Sequence, residues 1–318
     1  MTRVAAIDCG TNSIRLLVAD VDLEKKTLTD LDRRMEVVRL GQGVDRTGRI
    51  APEAMARTLE AARRYADICT ELDVEAVRFV ATSASRDAEN RQEFVDGIKD
   101  ALGVEPEVVG GEEEAFLSFR GATGVLAGKH PGPFLVVDLG GGSTEMVLGT
   151  TSPVAAYSMD VGCVRLTERH LHSDPPTPQE VAAASADVTA ALEEAGKVVP
   201  FGRTATLVGL AGSVTTVTAH ALDLVRYDPA QIDGAVLPTD KVLASCRTLL
   251  GLSRERREVL PFMHPGRVDV IGAGALVWSD VVGHVRAEVG RAGGRLATVV
   301  TSEHDILDGI AWSIAERP

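Results

Sequence analysis

Twice in this chain an apolar run ends in the same phrase. Residues 8–13 read Asp-Cys-Gly-Thr-Asn-Ser after Val4 to Ile7, and residues 138–143 read Asp-Leu-Gly-Gly-Gly-Ser after Phe134 to Val137. Both copies are D-x-G-x-x-S, and both open a second strand-like run, Ile14 to Ala19 and Thr144 to Gly149. A strand, a carboxylate, a turn of small residues and a second strand describe a β-hairpin. Its turn N–H groups can point at an anion, and glycine is expected there because it permits φ > 0 and a close backbone approach. The repeat predicts two similar halves facing each other across a phosphate-binding cleft.

Length and charge narrow the setting. At 318 residues the chain suits two domains of roughly 150 residues each. No run of about 18 apolar residues suggests a membrane span, and strand one begins almost at once, so no secretory signal is expected. Four scattered cysteines, Cys9, Cys69, Cys163 and Cys246, form no metal or redox spacing and read as buried reduced thiols of a cytoplasmic protein. With 33 basic against 46 acidic residues, the net charge of −13 argues against a nucleic-acid surface. A phosphorylated ligand gripped by a local cluster remains compatible with it.

Along the chain, the first hairpin (4–20) precedes strands at Thr27 to Asp32 and Met35 to Leu40. A helix starts at Pro52, a buried strand covers Ala76 to Ala81, and a second helix stops at Gly103. A strand at Glu105 to Val109 leads through Gly110-Gly111 into a helix from Glu112 to about Gly121. The glycine- and proline-bearing stretch Gly124 to Gly132 reads as a domain boundary, giving domains 1–125 and 126–302. Beyond the second hairpin (134–149) come a strand at Val154 to Met159 and helices at 163–171 and 178–196. A strand at Thr206 to Leu210 runs into a helix, followed by helices at 239–250 and 274–287 and a strand at Leu296 to Thr301. A last helix within 303–316 is expected to pack back on the first domain. Three hairpin-linked strands and then alternating helices and strands, twice over, predict a duplicated α/β architecture.

Several clusters suit phosphate chemistry. Gly10, Thr11, Asn12 and Ser13 supply backbone N–H, hydroxyl and amide donors to acceptor-only oxygens, although an ordinary polar turn has the same composition. Gly140, Gly141 and Gly142 leave room for phosphate, with Ser143 and Thr144 adding hydroxyls. The flanking acids Asp138 and Glu145 would repel a polyanion unless they hold Mg²⁺ (or Mn²⁺). Thr82-Ser83-Ala84-Ser85-Arg86 follows a strand, so Ser83 and Arg86 read as phosphate ligands or as a helix cap with a surface arginine. Gly212 and Ser213, with Thr215 and Thr216, stand at a strand-to-helix turn that suits an anion or simple capping. Glu112 and Glu113 fit a helix's first turn, where acids favour the macrodipole. Arg165 reads either as channel-lining or as solvated. Arg254, Arg256, Arg257 and Arg267 read as a track for a polyanion or as a solvated face.

The ordered segments DCGTNSIRLLVAD, ATSASRDA, GGEEEAF, VVDLGGGSTEMV, DVGCVRLTE and GLAGSVTT resemble the exopolyphosphatase and guanosine-pentaphosphate phosphatase (Ppx/GppA) family. The resemblance runs from residue 4 to about 312 and points to a short two-domain form. It implies a duplicated actin-like (ribonuclease H-like) α/β fold with an interdomain cleft. It also implies Glu114 as the general base for water attacking a terminal phosphorus, and Asp138, Glu145 and Asp8 as metal carboxylates. The implied activity is Mg²⁺-dependent release of orthophosphate from inorganic polyphosphate, short chains in particular. Guanosine pentaphosphate (pppGpp) 5′-phosphatase activity is the alternative, ahead of a nucleotide or alarmone sensor and of a small-molecule kinase. A homodimer is implied, with neither nucleic acid nor membrane as partner. The C-terminal SEHDILDGI departs from the family's S-x-x-x-L-R-x-G.

Overall fold

The computed structural model describes residues 1–126 and 128–316; Ala127, inside the stretch read as a linker, lies outside the described residues. The chain divides into two compact units, one formed by Met1–Gly121 with the segment from Ile306 onward, the other by Ala122–Asp305. The first half runs β1 (Thr2–Cys9), β2 (Ser13–Asp22), β3 (Thr27–Val37), α1 (Val44–Thr47), α2 (Pro52–Glu71), β4 (Ala76–Ala81), α3 (Ser83–Asp87), α4 (Arg91–Leu102), β5 (Glu107–Val108) and α5 (Gly111–Leu126). Then come β6 (Phe134–Leu139), β7 (Thr144–Gly149), β8 (Pro153–Met159), α6 (Cys163–His170), α7 (Pro178–Gly196), β9 (Thr206–Leu210), α8 (Ala211–Ala221), α9 (Pro229–Ile232) and β10 (Val236–Pro238). The chain finishes with α10 (Thr239–Gly251), α11 (Arg254–Glu258), α12 (Ile271–Arg291), β11 (Thr298–Thr301) and α13 (Ile306–Ala315). Among the described residues, no helix is long and apolar enough to cross a membrane.

The sheet of the first unit has the order β3-β2-β1-β4-β5, antiparallel among β1, β2 and β3 and parallel from β1 through β5. β1 lacks polar alternation because both of its faces are buried. Ala5, Ile7 and Cys9 meet Tyr65 of α2 and Phe94 of α4, whereas Val4 and Ala6 meet Leu117 of α5 and Ile310 of α13. Asp8 and Arg78 therefore share the face covered by α5 and α13. α2 opens on Pro52, where the missing N–H is not needed, and α4 closes on Gly103 at φ 72°. On α13, Asp308 pairs with Arg33 of β3 at 2.8 Å.

The expected break between two strands at Arg33-Arg34 does not occur. β3 is one strand, and the irregularity is a register shift: Val18 pairs with Asp32, Ala19 with Asp30, and Leu31 is passed over. The charges at the expected break lie on an edge strand, where they guard against stray pairing. α5 likewise continues past the expected end at Gly121.

In the second unit the order is β10-β11-β9-β6-β7-β8, with β6, β7 and β8 antiparallel and β9 and β11 parallel to β6. The core is Val and Leu from the sheet against α7, α8 and α12, with Trp278 at its centre. A Cβ on Gly209 would lie 2.6 Å from the Trp278 ring, so β9 needs glycine where α12 crosses it. α7 starts with a capping box in which Thr177 and Glu180 bond each other's backbone N–H. Reading outward from the meander, β3-β2-β1-β4-β5 and β8-β7-β6-β9-β11 are the same topology, the duplicated α/β arrangement expected from the sequence.

Candidate functional site

In the first unit the sequence motifs collect at the C-terminal ends of the parallel strands, where ligands bind in open α/β sheets. Cys9 pairs with Ala81 and Ala81 with Val108, so the segments after β1, β4 and β5 emerge side by side. The Gly10 N–H bonds Ser13 O at 3.0 Å and closes the first turn. Thr11 Oγ1 meets Ser83 Oγ at 2.9 Å, joining the first and second motifs. The carbonyl of Asn12 accepts from the Val38 and Arg39 N–H groups. Arg86 Nη1 donates to Val109 O at 3.2 Å and to Glu114 Oε2 at 3.4 Å. Glu114 is 8% exposed in the first turn of α5, and its own N–H bonds Gly110 O. Asp8 faces Arg15 across the hairpin, which donates to its Oδ2 at 3.0 and 2.7 Å.

The second turn repeats the first and adds a clamp. Gly140 N–H bonds Ser143 O, again at 3.0 Å. The carbonyl of Gly140 accepts from Cys163 N–H, that of Gly141 from Val164 and Arg165 N–H, and that of Gly142 from Arg165 Nε at 2.7 Å. In a trans peptide the carbonyl of one residue and the N–H of the next point opposite ways. Carbonyls pinned to the start of α6 therefore turn the N–H groups of Gly141, Gly142 and Ser143 away from that helix, the arrangement a backbone anion site would need. Gly162 makes this possible: a Cβ there would lie 2.4 Å from the Gly141 carbonyl. Close approach rather than an unusual dihedral is what Gly140 and Gly162 provide. Neither Gly10 nor Gly140 is left-handed, against expectation, but a Cβ on Gly140 would sit 3.1 Å from Ser143 O.

Seven residues after each motif aspartate the copies diverge, to Arg15 in one and Glu145 in the other. Asp138 and Glu145 are direct cross-strand partners, both buried, and Glu145 Oε1 accepts from Ser158 Oγ at 2.7 Å. Like charges placed directly opposite are destabilising. Asp8 pairs with Arg15, and Asp138 and Glu145 present hard oxygen donors of the kind that a divalent cation takes together with water and phosphate. Among the described residues no group of three or more His, Cys, Asp or Glu side chains is placed to hold a metal. The hydroxyl of Thr144 donates to Val161 O at 2.6 Å and braces the turn.

At the third turn, Ala211 is left-handed at φ 68°, an observed strain just before Gly212 and Ser213. Thr215 and Thr216 donate back to Gly212 O. A Cβ on Gly212 would lie 2.3 Å from the guanidinium carbon of Arg267, so Arg267 packs directly on this turn. The basic run is thereby divided. Arg257 is buried and donates to the Leu249 and Leu250 carbonyls at the end of α10, Arg254 pairs with Asp269, and Arg256 is exposed. The Tyr227 hydroxyl lies 2.7 Å from Thr215 Oγ1 and 2.6 Å from Glu303 Oε1, and burial pushes the Glu303 carboxyl above its ordinary value. The difference between Arg15 and Glu145 was readable by aligning the two copies; Arg267 stood in the basic run read as a polyanion track or a solvated face, and nothing local announces Tyr227. Burial raises all four cysteine thiols, Cys69 to about 11, which keeps them unreactive.

The sequence profile of the Ppx/GppA phosphatase family matches residues 17–295. The chain is 52% identical to exopolyphosphatase 2 of Mycobacterium tuberculosis, over 99% of both sequences. A crystal structure of an exopolyphosphatase-like protein, 46% identical, superposes with a TM-score of 0.94 over 98% of each chain. A Ppx/GppA family member from Aquifex aeolicus, 28% identical, gives a TM-score of 0.79 over 100% of this chain and 99% of that one.

Proposed function

The chain belongs to the Ppx/GppA phosphatase family, and from that premise we propose that it is an exopolyphosphatase that releases terminal orthophosphate from short inorganic polyphosphates. The observation that carries this reading is Glu114, buried at the C-terminal edge of the first sheet with Arg86 on its Oε2. Its carboxylate takes a proton from water, whose oxygen bonds to the terminal phosphorus while the bridging P–O bond breaks. The shortened chain leaves with the electron pair. Arg86, anchored on Val109 O, fixes the direction in which Glu114 accepts. In the first unit the N–H groups of the glycine turn with the Thr11 and Ser83 hydroxyls, and in the second unit those of its own glycine turn with the Ser143 and Ser213 hydroxyls and Arg267, are each donors of the kind that phosphoryl oxygens accept from. Family members are generally divalent-metal dependent; Asp138 and Glu145 would hold Mg²⁺ or Mn²⁺, which would supply positive charge to phosphoryl oxygens.

A second reading, pppGpp 5′-phosphohydrolase, has one observation in its favour. Glu303, held by Tyr227, places an acceptor near the donor-bearing third turn. It opposes a bare polyanion and suits the hydroxyl groups of a nucleoside. The test is phosphate release with Mg²⁺ from polyphosphates of several lengths, from pppGpp, and from ATP with and without a small acceptor. Polyphosphate is the expected substrate, and Glu114→Gln lowers its turnover by about 10²–10⁴-fold. Release unchanged by Glu114→Gln refutes the assignment of the base. Turnover of pppGpp alone selects the second reading.

A further inference from the structure

We propose that Arg78 is a positioning residue for this reaction, acting on Glu114 through Glu113. The inference rests on the reading of Glu114 as general base. Arg78 stands in β4 opposite Ala6 of β1, on the sheet face covered by apolar residues of α5 and α13, and is 4% exposed. A guanidinium buried in such surroundings must have its donors satisfied and its charge balanced. Arg78 Nε and Nη2 donate to Glu107 Oε2 at 3.0 and 2.6 Å, Nη2 to Glu113 Oε1 at 2.6 Å, and Nη1 to Ser313 Oγ at 2.8 Å. One side chain thus ties β5, the first turn of α5 and the C-terminal helix together.

The consequence lies in helix geometry. Consecutive helical residues project about 100° apart around the axis. With Glu113 drawn to Arg78 beneath the sheet, Glu114 is directed round the helix to the side where Arg86 meets it at 3.4 Å. The start of α5 is the part of a helix least secured by its own hydrogen bonds, and Arg78 and Arg86 hold it from two directions. Rotation of that turn by the 10–20° or so that a catalytic constellation tolerates would move both contacts. The macrodipole accounts for Glu112, but Glu113 has this more specific task.

Arg78 also supplies its own control, because its two carboxylate partners lie on different elements: Glu113 on α5 and Glu107 on β5. In the full-length protein, Glu113→Ala is expected to lower kcat for polyphosphate by about 10–100-fold. KM changes by less than about 3-fold and Tm by less than about 2 °C, since Arg78 keeps Glu107 and Ser313. Glu107→Ala leaves kcat within about 3-fold, and Glu113→Gln, which retains an acceptor oxygen, recovers most of the turnover. In the Glu114→Gln background, Glu113→Ala costs nothing further, as expected for residues acting as a unit. Equal losses in Glu113→Ala and Glu107→Ala, or no loss in Glu113→Ala, would overturn the proposal. If the wild-type protein releases phosphate from none of the polyanions, the hydrolase reading fails separately, and hydrogen exchange at the Glu114 amide decides. Faster exchange in Glu113→Ala than in Glu107→Ala supports the clamp; equal exchange in the two overturns it.

Discussion

Gly162→Ala isolates the contribution of the clamp behind the second turn. Gly162 is extended at φ −156°, a conformation open to any residue, so the substitution carries no dihedral strain. Its whole effect is steric. The new Cβ would lie 2.4 Å from both the carbon and the oxygen of the Gly141 carbonyl and 2.6 Å from Gly142 N. Carbon–carbon contacts are comfortable from about 3.5 Å, so α6 and the turn must part by about 1 Å. Those atoms are backbone and have no rotamer to yield. The parting strains the bonds from Cys163, Val164 and Arg165 N–H to Gly140 and Gly141 O, which lie between 2.9 and 3.1 Å. Overpacking of this kind costs about 1–3 kcal/mol. In a unit of this size that lowers Tm by about 2–12 °C, readable by calorimetry. A catalytic group displaced by about 1 Å loses about 10²-fold in rate, so kcat/KM for phosphate release should fall by that order. A Gly162→Ala protein with wild-type Tm and kcat/KM would refute the claim that α6 orients the turn.

Two further outcomes test the framework away from the turns. Gly283, inside α12, has nothing within 4 Å of where a Cβ would sit and is not left-handed, so Gly283→Ala should stabilise by about 0.5–1 kcal/mol, and a fall in Tm would show crowding that the structure lacks. Burial holds the Asp280 carboxyl above its ordinary value of 3.8, partly offset by a hydrogen bond from Ser185. A carboxyl raised on folding favours the folded state at low pH and loses that contribution as pH rises through its folded value. Asp280→Asn should therefore raise Tm at neutral pH, with the gain shrinking towards zero below about pH 4. A difference independent of pH would remove burial as the cause.

The elements that the sequence places well are those whose signal is local. The two hairpins, the buried strands β4 and β9 and the stop of α4 at Gly103 follow from apolar runs, turn residues and caps within a few positions. β3 was read as two strands, Thr27 to Asp32 and Met35 to Leu40, divided at Arg33 and Arg34, whose place on a sheet edge only the fold reveals. Of the two reasons read for the turn glycines, positive φ does not hold at Gly10 or Gly140, and close backbone approach holds at Gly140, which only the folded turn shows.

The candidate site divides along the same line. Thr11, Ser83, Asp138 and Glu145 were read as candidates because each belongs to a compact motif at a strand end, and the second copy of the phrase reinforced the first; Glu114 was read from the family resemblance. Arg78 and Tyr227 were not singled out, and Arg267 only as part of a basic run, because each acts on residues far from it in the chain: Arg78 on Ser313, Arg267 on Gly212, Tyr227 on Glu303. Local order along a chain determines which short segments become strands, turns and helices, and so where a repeated turn can offer its N–H groups. Which buried charge meets which partner is decided only by packing, since a guanidinium removed from water is paired by the elements that close over it.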